Sequence, residues 1–141
     1  RLAKKFETAR SAVPVPVTER EGEGTVGILA YGTTHWAVLE SCDQLAREAA
    51  LAPTYVRLRA FPFTDELGAF IDRCDRVYVV EQNRDAQMLA LMRMEMSPER
   101  IAKLRSVLHY GGMPIDARSI TDAILAGEGH ALAPANGDMP A

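Results

Sequence analysis

Between residues 25 and 127 the chain switches repeatedly between two hydrophobic periods, and this switching limits its possible folds more than any other feature. Residues 25–31, Thr-Val-Gly-Ile-Leu-Ala-Tyr, are a short apolar run, and residues 34–51 then repeat apolar side chains at helical spacing. The same alternation predicts strands over 54–60, 76–81 and 103–110 and helices over 64–74, 84–96 and 116–126, the last closed by Gly127. Strands separated by helices of ten or more residues call for βαβ crossovers. The expected fold is therefore α/β: a three-layer αβα sandwich around a mainly parallel sheet of four strands. No internal repeat is visible.

Polarity orders the strands. The central strands of a covered parallel sheet are apolar on both faces. Val26-Gly27-Ile28-Leu29-Ala30 and Val77-Tyr78-Val79-Val80 meet that demand, whereas the second predicted strand carries Arg57 and Arg59 and the fourth Lys103 and Arg105. The expected order is 2-1-3-4, with the first and third strands side by side. Val13-Pro14-Val15-Pro16-Val17 is extended, because proline excludes helix, and proline confines any strand there to an edge. Residues 14–19 thus belong beyond the second strand. The chain divides into residues 1–24 (a helical remnant with Leu2, Phe6 and Ala9 on one stripe, a linker and the edge segment), the α/β unit 25–127, and a tail, 128–141, expected to be disordered for its Gly, Ala and Pro content.

Composition removes several functions. The 141 residues are 48% hydrophobic and 25% charged, and 16 basic residues against 19 acidic ones give a net charge of −3 with no basic block. A nucleic-acid partner is not expected, since phosphate neutralisation needs clustered Lys and Arg. No apolar run approaches the roughly 18–20 residues of a membrane span, so no membrane partner is expected either. Cys42 and Cys74 fall at helical spacing among apolar residues; they read as small core hydrophobes in a reducing, cytoplasmic compartment. The start, Arg1-Leu2-Ala3-Lys4, carries no Met and no secretory pattern and reads as part of something longer.

Open α/β sheets bind ligands beyond the carboxyl ends of their strands, where the winding reverses. Here that point lies between the first and third strands, so the candidate crevice is formed by Gly32, Thr33, Thr34 and His35 with Glu81, Gln82, Asn83 and Arg84. Gly32-Thr33-Thr34 opens a helix, a setting that favours an anion. Without G-x-G-x-x-G or a Walker lysine, the simpler reading is that Gly32 permits the turn and Thr34 caps the helix. Asn83 is placed to cap the next helix, with Asp85 near its positive end. Glu81 is open to two readings: a solvated turn, or a buried acid or base partnered by Arg84, Arg57 or His35. His35, His109 and Asp85 lack metal-site spacing, and His109 reads as structural, so no catalytic or metal-binding residue is assigned. The helix over 84–96 holds Met88, Met92, Met94 and Met96 with Leu89 and Leu91, apolar enough to be a deep core helix or to be covered by a second chain.

The strings Ile28-Leu-Ala-Tyr-Gly-Thr-Thr-His-Trp-Ala-Val38, Leu58-Arg-Ala-Phe-Pro-Phe63, Val77-Tyr-Val-Val-Glu-Gln-Asn-Arg-Asp-Ala-Gln-Met88 and Leu104-Arg-Ser-Val-Leu-His-Tyr110, with Pro114-Ile-Asp-Ala-Arg118, add a resemblance. Together they are similar to the C-terminal domain of the α subunit of 2-oxoacid:ferredoxin oxidoreductases, the 2-oxoglutarate type in particular. The resemblance implies a transketolase C-terminal-like domain with one antiparallel edge strand. It implies a parent enzyme that oxidatively decarboxylates a 2-oxoacid, uses CoA as substrate and passes electrons through iron–sulfur clusters to ferredoxin. Thiamine diphosphate with Mg2+ and the clusters would be held elsewhere, so this chain would be inactive alone. Its expected partners are the thiamine-binding domain of the same subunit and the β subunit, with the crevice loops facing that assembly, and a homodimer is conceivable when those surfaces lie bare. Two rival readings stand beside it: a stand-alone α/β domain binding a small anion or CoA-like ligand at the switch point, and a small hydrolase or isomerase using Glu81 and His35.

Overall fold

A computed structural model describes residues 2–131. The elements follow as α1 (Leu2–Ala12), β1 (Val17–Arg20), β2 (Val26–Tyr31), a 3-10 turn (Gly32–Thr34), α2 (His35–Ala49), β3 (Thr54–Leu58), α3 (Asp65–Arg73), β4 (Arg76–Glu81), α4 (Gln87–Glu95), α5 (Pro98–Ile101), β5 (Leu104–Leu108) and α6 (Ala117–Gly127). The five strands lie in the order β1-β3-β2-β4-β5. β2 pairs in parallel with β3 and β4, β4 pairs in parallel with β5, and β1 runs antiparallel to β3. This is the order expected from strand polarity. The two apolar strands are central neighbours, with Ile28 opposite Tyr55 on one side and Tyr78 on the other.

Strand alternation divides the core. Val26, Ile28 and Ala30 of β2, with Tyr78 and Val80 of β4, pack under α2 and α6 against Val38, Cys42, Leu45, Ile120 and Ile124. Leu29, Val77 and Val79 point the other way, onto Leu67, Phe70 and Ile71 of α3 and Leu89 and Met92 of α4. Ile28, Leu29, Val77 and Val79 have no exposed surface. Burying each such side chain stabilises by about 1.5–3 kcal/mol, which is why the sheet centre fixes the register. Gly27 lets α3 approach: a Cβ there would meet Phe70 Cζ at 2.6 Å and Cys74 Sγ at 2.9 Å. Both cysteines are buried, on opposite faces of the sheet.

The charged positions of the outer strands are spent locally. Arg57 Nε donates to Glu19 of the edge segment at 2.6 Å, and Arg59 Nε to the Val15 carbonyl at 2.9 Å. At the opposite edge, Arg105 Nη1 donates to the carbonyls of Ala102 and Leu104. Lys103 Nζ donates to the Ile71 and Asp72 carbonyls at the end of α3, where a cation suits the helix dipole.

Several boundaries depart from expectation. The edge strand begins at Val17, after the prolines. α1 forms but buries none of its residues. Its Phe6 ring stands edge-on to Phe61 at 6.1 Å. α4 starts at Gln87 rather than Arg84, and only Leu89 and Met92 are buried in it. It is therefore not a deep core helix, and Met94 is 72% exposed. Glu128, assigned above to the disordered tail, is fastened. Its carboxylate accepts two bonds from Arg76, at 2.6 and 2.7 Å, and one from the Tyr78 hydroxyl at 2.7 Å. The rest of that tail, from residue 132, lies outside the described residues.

Candidate functional site

The carboxyl ends of β2 and β4 emerge side by side, and of the expected crevice residues Gln82 reaches Thr33 and Thr34, whereas His35 turns to Tyr55 and Arg84 to Asp85. Gly32 takes φ +62°, which a side chain would resist, and turns the chain into the 3-10 segment. Thr34 sits in right-handed helical geometry and makes no cap bond to α2, so the expected capping role falls away. Its buried hydroxyl instead accepts from Gln82 Nε2 at 3.1 Å, and the exposed Thr33 hydroxyl accepts from the same nitrogen at 3.2 Å. Gln82 Oε1 accepts the Ile115 backbone N–H at 3.3 Å. One amide side chain thus ties together the loops that follow β2, β4 and β5.

Glu81 is fully buried. The three partners named from the sequence do not reach it: Arg57 is held by Glu19, Arg84 by Asp85 at 2.9 Å, and His35 Nδ1 lies 3.2 Å from the Tyr55 hydroxyl. Its carboxylate accepts the Met88 N–H at 2.6 Å, the Leu89 N–H at 3.2 Å, Asn83 Nδ2 at 3.0 Å and the Tyr31 hydroxyl at 3.3 Å. All four are donors, the set a carboxylate needs when removed from water, and two are free amides at the start of α4. Glu81 is therefore the anchor of α4, reaching it from seven and eight residues back. The solvated-turn reading gives way to that role.

Asn83 is not the helix cap expected from the sequence: Ala86 stands at the N-cap of α4, without a side-chain bond, and Asn83 holds the turn before it. Its Oδ1 accepts the N–H groups of Asp85 and Gln87 at 3.1 and 3.2 Å. Asp85 itself faces solvent, where a pair such as Arg84–Asp85 adds little stability.

The residue missed by sequence reasoning is Tyr31. It ends β2 on the face shared with Leu29, as Glu81 ends β4 on the face shared with Val79, and Leu29 lies opposite Val79 in the register. Adjacent strands and matching parity would have placed the two together. Burial pushes the Tyr31 phenol above its usual range, and the Glu81 charge and hydrogen bond push it further. His109, expected to be structural, has Nε2 2.8 Å from the Met113 carbonyl.

Hollows of about 500, 300 and 340 Å3 are lined by α1 and the segments around Val13 and residues 61–66. Among the described residues no group of three or more His, Cys, Asp and Glu side chains is placed to hold a metal ion. No helix among them is long and apolar enough to cross a membrane.

No protein-family model and no curated protein sequence matches this chain. Solved structures do. A 2-oxoglutarate:ferredoxin oxidoreductase from Magnetococcus marinus, solved with 2-oxoglutarate, coenzyme A and succinyl-CoA bound, superimposes with a TM-score of 0.70 and 25% identity over 85% of this chain. A split-gene transketolase, described as an inactive β4 tetramer, gives a TM-score of 0.61 and 18% identity over 79% of it. The fold is transketolase C-terminal-like. Within that fold the antiparallel β1 is the edge strand that the resemblance implied. The transketolase C-terminal-like chain spans about a fifth of the oxidoreductase chain, 21%, and 40% of the transketolase chain.

Proposed function

We propose that this chain is the C-terminal assembly domain of the α subunit of a thiamine-diphosphate-dependent 2-oxoacid:ferredoxin oxidoreductase, of the 2-oxoglutarate type. The parent enzyme converts a 2-oxoacid and CoA to acyl-CoA and CO2 and passes the electrons to ferredoxin. The observation that carries this is the superposition on the oxidoreductase at 25% identity over 85% of the chain. The state of the crevice supports a bracing role. Glu81 is buried with its oxygens engaged at the start of α4, and the Gln82 amide is used in joining loops, so both side chains are committed to holding the rim together.

The cofactors of such an enzyme do not fit the described residues of this chain. An iron–sulfur cluster needs several thiolates, and Cys42 and Cys74 are buried on opposite sheet faces. The Mg2+ that accompanies thiamine diphosphate needs converging oxygen ligands, which the described residues do not gather. In this reading both groups belong to the thiamine-binding domain and the partner subunits, in the cytoplasm.

The test is reconstitution. The chain is expressed with its thiamine-binding domain and β subunit, and CoA-dependent ferredoxin reduction is followed with 2-oxoglutarate. Activity that requires this chain is the expected result. A second arm heats the 141-residue chain with CoA, thiamine diphosphate or phosphate. Saturable stabilisation at micromolar ligand would replace the assembly role with the small-ligand reading, because a ligand bound to the folded state raises its stability by mass action.

A further inference from the structure

We infer that the outward face of α1 is a docking groove for one helix of a neighbouring protein domain, a helix apolar along its contact stripe and flanked by carboxylates. The inference rests on the assembly role proposed above and adds to it a face and a kind of partner. α1 runs 11 residues and buries none of them. An isolated helix that short is marginal in water, so tertiary packing has to supply its stability. The rest of the domain supplies little: an Arg10–Glu95 ion pair at 3.1 Å, and the Phe6 ring edge-on to Phe61. Leu2 stays 71% exposed and Phe6 45%.

The shape fits a helix. Lys4, Lys5, Thr8, Ala9 and Ala12 line the hollow of about 500 Å3, and their spacing is that of one helix face. Thr8, Ala9 and Ala12 are short side chains, and the groove is the space they leave beside the two lysine arms. The hollow of about 340 Å3 takes in Leu2, Phe6, Phe61 and Pro62 and shares Lys5 and Ala9 with the first. The two are therefore one surface. Leu2, Lys5, Ala9 and Ala12 recur along it at alternating steps of three and four residues, the spacing of a helix–helix seam. The ridge of a second helix fits such a groove, and small side chains in it let the two axes come close.

The lysines fix the chemistry of the partner. Neither Lys4 nor Lys5 has a carboxylate within ion-pair distance among the described residues. Nearby acids line a different hollow: Glu7, Asp65 and Glu66 stand there with Arg10, which Glu95 already holds. A helix with Glu or Asp beside its apolar stripe would pair with both lysines, as flanking charges do when they choose partners in helix pairs. A second copy related by a two-fold axis over this groove would set lysine against lysine.

The first arm of the test follows, by size exclusion, the enzyme assembled from this chain, its thiamine-binding domain and its β subunit. The double reversal Lys4→Glu with Lys5→Glu is expected to weaken assembly on the order of tenfold. Raising NaCl from about 0.05 to about 0.5 M should weaken the parent in the same direction. Ala12→Trp fills the groove without changing charge and should act alike. Arg47→Glu, an exposed reversal on α2, is the control and should assemble normally. Circular dichroism of the 141-residue chain should show every variant folded. The second arm titrates that chain with a synthetic helix whose leucine stripe is flanked by glutamates, and with the same stripe flanked by lysines. The glutamate peptide should bind on the order of tenfold tighter, an advantage that the double reversal removes. Equal binding of the two peptides, or binding of neither, overturns the inference, as does an assembly that the double reversal and Ala12→Trp leave intact. So does a dimer of the 141-residue chain, or its attachment to phosphatidylserine vesicles, that the double reversal abolishes. A chain that selects the glutamate peptide but forms no active enzyme with those partners refutes the assigned reaction and leaves the groove standing.

Discussion

Replacing Glu81 by glutamine separates a buried anchor from a chemical group. The carboxylate accepts from Met88 N–H, Asn83 and Tyr31 on Oε1 and from Leu89 N–H on Oε2. An amide satisfies the first three donors only by turning its own NH2 toward the Leu89 N–H, donor against donor. Leaving a buried donor unpaired costs about 1–3 kcal/mol, and the remaining bonds lose the charge that strengthened them. A total of about 2–3 kcal/mol follows, or a fall in Tm of about 6–12 °C at the roughly 3–4 °C per kcal/mol expected for a domain of this size. Thermal unfolding of the 141-residue chain measures the total, and hydrogen exchange locates it, with protection lost first at the Met88 and Leu89 amides. In the assembled enzyme the folded fraction should turn over at an unchanged rate. An unchanged Tm together with abolished turnover would refute the anchor role and restore Glu81 as an acid or base.

Other perturbations report on other parts of the frame. Gly27→Val forces a side chain onto Phe70 and Cys74, and such overpacking should cost about 1–3 kcal/mol in urea unfolding, whereas a neutral result would mean that α3 can move away. Burial pushes the Cys42 thiol up to about 11, so it should resist iodoacetamide at pH 8 until the chain unfolds; rapid labelling of the native state would show that α2 opens readily. Arg76 above all, with Tyr78, holds the Glu128 carboxyl below its ordinary value near 4.5. The stability gained from that depression is complete above about pH 4.5 and is lost as the pH falls through the lower, folded-state value. Glu128→Gln should therefore flatten the acid limb of the Tm–pH curve, and identical limbs for variant and parent would show that the clasp contributes nothing.

The sheet was legible in the sequence because burial on two faces leaves a strong mark. Residues 26–30 and 77–80 carry no charge, Arg57, Arg59, Lys103 and Arg105 sit on the outer strands, and the prolines at 14 and 16 exclude that segment from the interior. That the loops after β2 and β4 are neighbours was legible, since winding reversal brings them together whatever their side chains do. Their individual bonds were not. Thr34 has the composition of a cap, but the 3-10 turn carries its hydroxyl toward Gln82. The late start of α4 depends on Glu81 and Asn83 capturing its first amides, contacts that local propensity does not encode. Ser97-Pro98-Glu99 is a helix-start signature, yet α5 spans only four residues, too few to show a hydrophobic period.

Every open sheet has two flanks at which a foreign strand can add, and in this molecule both are poor templates. One is β1, four residues long and preceded by prolines that have no N–H to offer. On the other, the Arg105 guanidinium already occupies two main-chain oxygens, and Arg105 and Ser106 face water on the strand itself. Stray copies thus meet a short border on one side and a charged one on the other, which steers crowded, freshly synthesised chains away from fibre-like stacking.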